Sequence, residues 1–155
     1  MSSRLFEEVR EKRGLAYEIK SSLSFYQDTG ALLISAGVES GRTPMAVRVI
    51  LKELTKLKER PVKQGELRRA KDYFMSQLYL GLEDTLDHLL WAGDRAVYSD
   101  ELPDRHEIRE GIEKVTAADV QRVAKDIIRT SHLNLALIGP ITGKHQKAIE
   151  STFEV

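Results

Sequence analysis

Apolar and charged positions follow a helical period at the start of the chain. Leu5, Phe6 and Val9 recur at the spacing of one helix face, and charged residues fill most positions between them. This pattern predicts a helix over residues 3–13. Gly14 follows as the residue type that most readily adopts the left-handed conformation closing a helix, so we expect the chain to fold back there.

From Ala16 the period changes to two, which predicts a pair of strands. One side of the first strand carries the larger residues Tyr17, Ile19, Leu23 and Phe25. A turn at residues 27–30 joins it to a second strand over residues 31–38, and so short a link favours an antiparallel hairpin. The second strand is almost continuously apolar, so we expect other elements to cover both of its faces.

Helical stripes dominate the rest of the chain. We expect helices from Thr43 to the residue before Pro61, from Gln64 to Leu80, from Glu83 through Val97, through Ile108 to Val115, from Thr116 to Arg129 and from Thr142 to Thr152, with a loop over residues 99–103. Residues 132–138 have the pattern of a third, buried strand. Three strands are few for so many helices, so we expect part of the sheet to lie outside this chain.

The predicted fold class is therefore α/β in the broad sense, more narrowly α+β. An antiparallel-containing sheet carries helices packed mainly on one face. The whole chain, residues 1–155, is expected to form a single but partial domain, because its length suits one core and its sheet is incomplete.

The composition is that of a globular protein without a basic surplus. Hydrophobic residues make up 41% and charged residues 31% of the 155 residues, and 24 Lys and Arg balance 24 Asp and Glu. A net charge of zero disfavours nucleic acid as a partner, because nucleic-acid-binding proteins usually carry excess Lys and Arg. No apolar run approaches the about 20 residues of a membrane helix, and the first residues lack a signal-peptide pattern. We expect no membrane span and a cytoplasmic location.

Motifs for metal binding or nucleophilic catalysis do not occur. The absence of cysteine excludes disulfides, thiolate metal sites and cysteine nucleophiles. No two of the four histidines stand at the i, i+4 spacing of a helical zinc site, and neither His-Glu-x-x-His nor its inverted form is present. These histidines are His88, His106, His132 and His145. We predict that this chain binds no metal and no other cofactor and carries no catalytic residue of its own.

One segment is unusual enough to indicate a family. Residues 2–17 read SSRLFEEVREKRGLAY. The segment resembles, nearly letter for letter, the start of the later half of C-terminal domains in the insulinase/pitrilysin family of zinc metalloproteases, to which mitochondrial processing peptidase belongs. Two later landmarks, residues 61–71 and 115–120, resemble the family in the same order. Lys63 departs from the pattern, since related sequences often have a capping Thr there.

The resemblance implies a processing-peptidase-like fold and a role for two residues. In such proteases an Arg in this helix and a Tyr seven places later reach toward the zinc site of the other half and hold backbone carbonyls of the substrate. By motif position these residues are Arg10 and Tyr17, here a substrate-binding pair. Zinc is expected in the partner half, and the substrate is expected to be a peptide.

Simpler interpretations of both residues remain open. Arg10 lies in a last helical turn, where the helix dipole alone favours a cation. Tyr17 is in phase with Ile19, Leu23 and Phe25, so it could belong to the core.

The leading function is a substrate-binding, non-metal-binding module of a zinc metalloendopeptidase, inactive alone. The alternative is a non-catalytic structural or assembly subunit of the same fold, and a weaker third idea is an isolated peptide-binding domain. The family domain normally has a strand and a helix before residue 2, so the chain is expected to be truncated at its N-terminal side. We expect its uncovered apolar surface to bind the zinc-bearing half, a partner subunit or a second copy of the chain.

Overall fold

The computed structural model describes residues 3–81, 83–98, 104–153 and 155, without the side chains of residues 95 and 98. Its elements are a π-helix over Phe6–Glu11, strands β1 (Ala16–Phe25) and β2 (Gly30–Val38), helices α1 (Thr43–Glu59), α2 (Gln64–Gly81), α3 (Thr85–Tyr98), α4 (Arg105–Lys114), α5 (Ala117–Ile127) and α6 (Gly143–Glu150), and 3₁₀ turns over Ser40–Arg42 and Thr130–His132. The loop expected over residues 99–103 lies outside the described residues.

The chain divides into two compact units. The first contains the residues up to Arg60 together with Arg122–Val155, and the second is Pro61–Gln121. The hairpin, α1 and α6 therefore belong to the first unit, and α2, α3 and α4 belong to the second. The expectation of a single partial domain over residues 1–155 stays a prediction.

The N-terminal helix is present and ends where the pattern predicts. Gly14 adopts a φ of 57°, and its N–H donates to the carbonyl of Arg10 at 2.9 Å. The Leu15 N–H reaches further back, to the carbonyl of Val9 at 2.8 Å. The helix is wider than expected, because the Lys12 N–H bonds the carbonyl of Glu7, five residues earlier.

The predicted antiparallel hairpin is confirmed. Ile19 lies opposite Ala36 and Phe25 lies opposite Gly30, while the Tyr26 N–H donates to the Thr29 carbonyl at 2.9 Å to close the turn. Among the described residues this two-stranded sheet is the whole sheet. The fold is thus α+β, as expected.

Helix α1 covers one face of the hairpin. Val9, Ile19 and Val49 are among the buried residues of a first core, and half-buried residues of β2 pack against it. The expectation that β2 is covered on both faces is wrong: its Leu32 and Leu33 are exposed. Strand β2 is apolar on both faces, but the described part of the chain packs helices against one face alone.

A second core lies between α1 and the C-terminal elements. The buried residues of this core are Val47, Leu51, Leu54, Ala124, Ile128 and Ile149. Helix α1 therefore contributes to two cores, which makes it the central support of the first unit. Thr142 caps the start of α6: its hydroxyl accepts from the His145 N–H at 3.4 Å.

The third strand predicted over residues 132–138 is wrong within the described part of the chain. His132 closes a 3₁₀ turn, and residues 133–138 pair with no other strand. Leu133 is half-buried against the second core, but residues 134–138 are exposed: Ile138 is fully accessible and Leu135 is 43% exposed. The apolar sequence favours a strand, but a strand needs a neighbour to bond with, and none of the described residues is placed there.

Helices of the second unit follow their predicted positions closely. Asp84 Oδ1 accepts from the N–H groups of Leu86 and Asp87, which caps α3. Asp104 and Glu107 form a capping box at the start of α4. Lys71 of α2 donates to the carbonyl of Glu113 in α4 at 2.8 Å, which ties these two helices together.

Candidate functional site

The two predicted site residues flank the turn at Gly14. Arg10 belongs to the last turn of the π-helix, and Tyr17 is the second residue of β1. The turn is tied to the start of α1, because the Arg42 guanidinium donates to the Gly14 carbonyl at 3.1 Å. Arg42 also pairs with Glu39 at 3.3 Å. Both segments that carry the predicted residues are therefore anchored to the first core.

Arg10 is exposed, and an aromatic ring holds its guanidinium. The guanidinium carbon lies 4.9 Å from the centre of the Phe6 ring, within the range of a cation–π contact. Phe6 is half-buried and packs against the first core, so the ring is a firm support. Among the described residues no carboxylate pairs with Arg10, and its charge remains available to a ligand.

The neighbouring cations of the same turn are already paired. The Glu8 carboxylate binds Lys12 and Arg13, each at 2.5 Å, and Arg13 also donates to the Glu8 carbonyl at 2.6 Å. These hydrogen bonds from Lys12 and Arg13 lower the pKa of Glu8 from 4.5 to about 2. The helix end thus carries two cations that share one carboxylate, Lys12 and Arg13, and one exposed cation, Arg10.

Tyr17 is exposed because a β-bulge removes it from the regular alternation. Ala16 lies opposite Val38 while Glu18 lies opposite Gly37, which leaves Tyr17 without a residue across the hairpin. Tyr17 is 76% exposed, so the alternative that it belongs to the core is wrong. The predicted period of two does not hold across the bulge.

Gly37 is a neighbour of Tyr17 that the sequence alone did not indicate. An added Cβ there would lie 2.6 Å from the Tyr17 hydroxyl oxygen and closer still to ring atoms Cε1 and Cζ. The tyrosine ring therefore lies directly over the Gly37 backbone. A glycine within a strand is the signal that could have indicated such a close approach.

The residues of this part of the molecule suit hydrogen bonding to an acceptor rather than metal binding. Arg10 offers charged N–H donors in a fixed plane, and Tyr17 offers a neutral O–H donor. In the described ranges no group of three or more His, Asp or Glu side chains is placed to hold a metal ion. Arg10 and Tyr17, as hydrogen-bond donors, do not fit a zinc site.

A second feature of the first unit is an open apolar surface at its C-terminal side. A cavity of about 540 Å³ lies between the extended segment 133–138 and α6, and its lining includes Leu135, Leu137, Ile149 and Phe153. Within the described chain, the backbone of residues 134–138 forms no hydrogen bonds to a neighbouring strand. The segment therefore presents apolar side chains beside unpaired backbone groups.

None of the described helices is long and apolar enough to cross a membrane.

Residues 1–74 match the family described as the inactive domain of peptidase M16. The chain is 34% identical over 144 residues to an uncharacterized zinc protease of Streptomyces coelicolor, covering 93% of this chain and 31% of that protein. It is 32% identical over 140 residues to an uncharacterized zinc protease of Bacillus subtilis, covering 90% of this chain and 34% of that protein.

The chain thus spans about a third of the length of these curated relatives. Among solved structures it resembles a chain of complex III2 from Candida albicans, a structure with Inz-5 bound. The TM-score is 0.76 at 18% identity, over 84% of this chain and 31% of the other. This likeness shows a shared fold.

Proposed function

This chain belongs to the M16 (insulinase/pitrilysin) family of zinc peptidases, as part of its C-terminal, inactive domain, and we propose from this premise that it binds substrate for a zinc metalloendopeptidase. In this proposal Arg10 and Tyr17 are the substrate-binding residues. The observation that carries the proposal is that these two side chains, on either side of the Gly14 turn, are both exposed donors supported by a core-anchored backbone.

The chemistry of the two side chains suits a peptide carbonyl as the bound group. A guanidinium offers several N–H donors that stay charged at every physiological pH, and the phenol adds one donor without further charge. Donors fixed before the reaction stabilise the charge that develops on a carbonyl oxygen during hydrolysis, and such groups are among the largest contributors to catalysis. Each donor has a neighbour that supports it: the Phe6 ring lies against Arg10, and the Gly37 backbone lies against Tyr17.

The proposed partner is a zinc-bearing half, on the same or another chain. The curated relatives are named zinc proteases and are about three times as long as the matched part, while the residues described here do not form a metal site. This chain alone is therefore expected to be inactive toward peptides. The open surface at residues 133–138 is the region we expect the partner half, or a second copy of the chain, to cover.

The experiment that tests the proposal is a complementation assay. The chain is mixed with the N-terminal half of the Bacillus subtilis relative, and cleavage of an internally quenched fluorogenic peptide is followed. Cleavage that depends on both components, and that falls when Arg10 or Tyr17 is replaced, supports the proposal. A matched control is Lys12→Ala, which removes the same charge from the same turn at a cation that is already paired with Glu8.

A stable assembly that cleaves nothing, or cleavage that neither substitution changes, would contradict the substrate-binding role. The first result would favour the alternative, a structural or assembly subunit of the same fold.

A further inference from the structure

The exposed ring of Tyr17 packs against the neighbouring strand, on the backbone of Gly37; we call this position the seat of the ring. Because the bulge places Tyr17 outside the regular register, its side chain is free to lie across β2 instead of pointing away from the sheet. The ring lies over Gly37, in the volume that a Cβ at Gly37 would occupy. A side chain that is 76% exposed is thus in contact with the backbone of the opposite strand.

Space, and not backbone conformation, explains why a glycine suits this position. The residues with positive φ among those described are Gly14 and Gly139, so Gly37 has a conformation open to any residue. Even an alanine at Gly37 would bring its Cβ to 2.6 Å from the Tyr17 hydroxyl oxygen, well inside van der Waals contact. The ring would have to leave its seat.

Holding the ring in place matters for binding. A fully mobile exposed side chain loses rotamer freedom when a ligand orders it, and this loss weakens affinity. A ring already supported by the strand presents its hydroxyl in one direction before the ligand arrives. The benefit is preorganisation without burial, since the hydroxyl remains accessible.

We propose that Gly37 is a positioning residue for Tyr17: its missing side chain forms the seat on which the phenol is held toward bound peptide. The inference rests on the proposed role of Tyr17 in substrate binding and adds a residue that touches no substrate itself. It acts through one side chain, so its effect must vanish when that side chain is removed.

The first test uses NMR of the whole chain and does not depend on activity. A ring stacked on a glycine shifts the Hα resonances of that glycine upfield, so Gly37 is expected to show displaced Hα signals. Tyr17→Ala is expected to return them to the ordinary range, while Tyr17→Phe keeps them displaced because the ring remains. Ordinary Gly37 Hα shifts in the unmodified chain would overturn the proposed seat.

The second test measures binding of a fluorescein-labelled, end-blocked alanine-based peptide by anisotropy. Gly37→Ala is expected to weaken binding roughly 2- to 10-fold, the range that corresponds to one hydrogen bond, and Tyr17→Ala by at least as much. Gly37→Ala introduced into the Tyr17→Ala chain is expected to cost nothing more, since the residue it positions is gone. The matched control is Gly41→Ala, where an added Cβ meets no atom within 4 Å.

The outcomes separate this inference from the function on which it rests. If Tyr17→Ala weakens binding and Gly37→Ala does not, the positioning role is wrong and substrate binding stands. If the two substitutions weaken binding additively, Gly37 acts by another route and the inference is also wrong. If neither Arg10→Ala nor Tyr17→Ala changes binding, the proposed function itself fails, whatever the Gly37 resonances show.

Discussion

The Arg42 guanidinium donates a 3.1 Å hydrogen bond to the carbonyl of Gly14. This single contact joins the start of α1 to the turn that separates Arg10 from Tyr17. The turn has its own local bonds, and the adjacent Leu15 and Ala16 are buried in the first core; Arg42 adds a link across 28 residues of the chain.

Arg42→Ala is expected to loosen the Gly14 turn with a modest loss of stability. The bond is charged but more than half exposed, so we expect the free energy of unfolding to fall by about 0.5–1 kcal/mol. Urea unfolding followed by circular dichroism measures this change. The control is Arg48→Ala, an exposed cation on the same α1. Equal and negligible losses for both variants would show that Arg42 anchors nothing.

Gly14→Ala is expected to destabilise the chain through backbone strain alone. The φ of 57° is unfavourable for a residue with a Cβ by roughly 1–2 kcal/mol, and an added Cβ meets no atom within 4 Å. Urea unfolding is again the measurement. Gly41→Ala, at a residue whose φ is not positive, is the matched control and should cost little. A cost at Gly14 no larger than at Gly41 would rule out the left-handed turn.

The ion pairs of Glu8 are expected to make stability depend on acid pH. Because hydrogen bonds from Lys12 and Arg13 lower the pKa of Glu8 from 4.5 to about 2, the ionised carboxylate stabilises the folded chain. Its contribution is complete above the unfolded value near 4.5 and is lost as the pH falls toward 2. The free energies of unfolding of the parent chain and of Glu8→Gln should differ by a constant amount at neutral pH. The difference should shrink as the pH falls from 4.5 to about 2.

A double variant supplies the control for this pH dependence. Replacing Lys12 and Arg13 with methionine removes the donors and should give the same flattened profile as Glu8→Gln. A difference between parent and Glu8→Gln that stays constant down to pH 2 would mean that the pKa of Glu8 is not lowered.

Arg10→Ala is expected to reduce peptide cleavage by the complemented protease by roughly 10²-fold in kcat, the usual cost of losing one donor to a developing oxyanion. Tyr17→Phe removes one neutral hydrogen bond and is expected to cost roughly 10-fold. Both side chains are exposed, so circular dichroism and urea unfolding should change little. Steady-state rates with Lys12→Ala as reference check the result, and a loss of the same size for Lys12→Ala would point to general charge effects.

The uncovered segment 133–138 is expected to drive self-association when no partner half is present. Ile138 is fully exposed, and Ile138→Lys places a charge on this strand-like edge, which disfavours pairing with another chain. Light scattering coupled to size-exclusion chromatography should report a smaller solution mass for this variant. Gln27→Lys, which adds the same charge at the exposed hairpin turn, should leave the mass unchanged. A monomeric parent chain would contradict the prediction.

Local features of this protein were predictable because residues a few positions apart determine them. Gly14 closes a helix since it alone in that region lacks a Cβ, and the Asp119 carboxylate accepts a hydrogen bond from the Thr116 N–H because the two are three residues apart. The hairpin followed from a period of two on both sides of a short turn. Arg10 and Tyr17 entered as candidates from a resemblance over residues 2–17, and their role stays a prediction.

What the tertiary structure alone decided depends on contacts between distant residues. The bulge that exposes Tyr17 arises from the register between β1 and β2, and the seat at Gly37 exists because that register brings the two positions together. The segment 133–138 has strand-forming residues, yet it forms no strand in the described chain, since hydrogen bonds of a sheet need a partner that local sequence cannot specify. The periodicity of apolar residues indicates which side chains favour burial. The tertiary structure alone shows which of those side chains are buried.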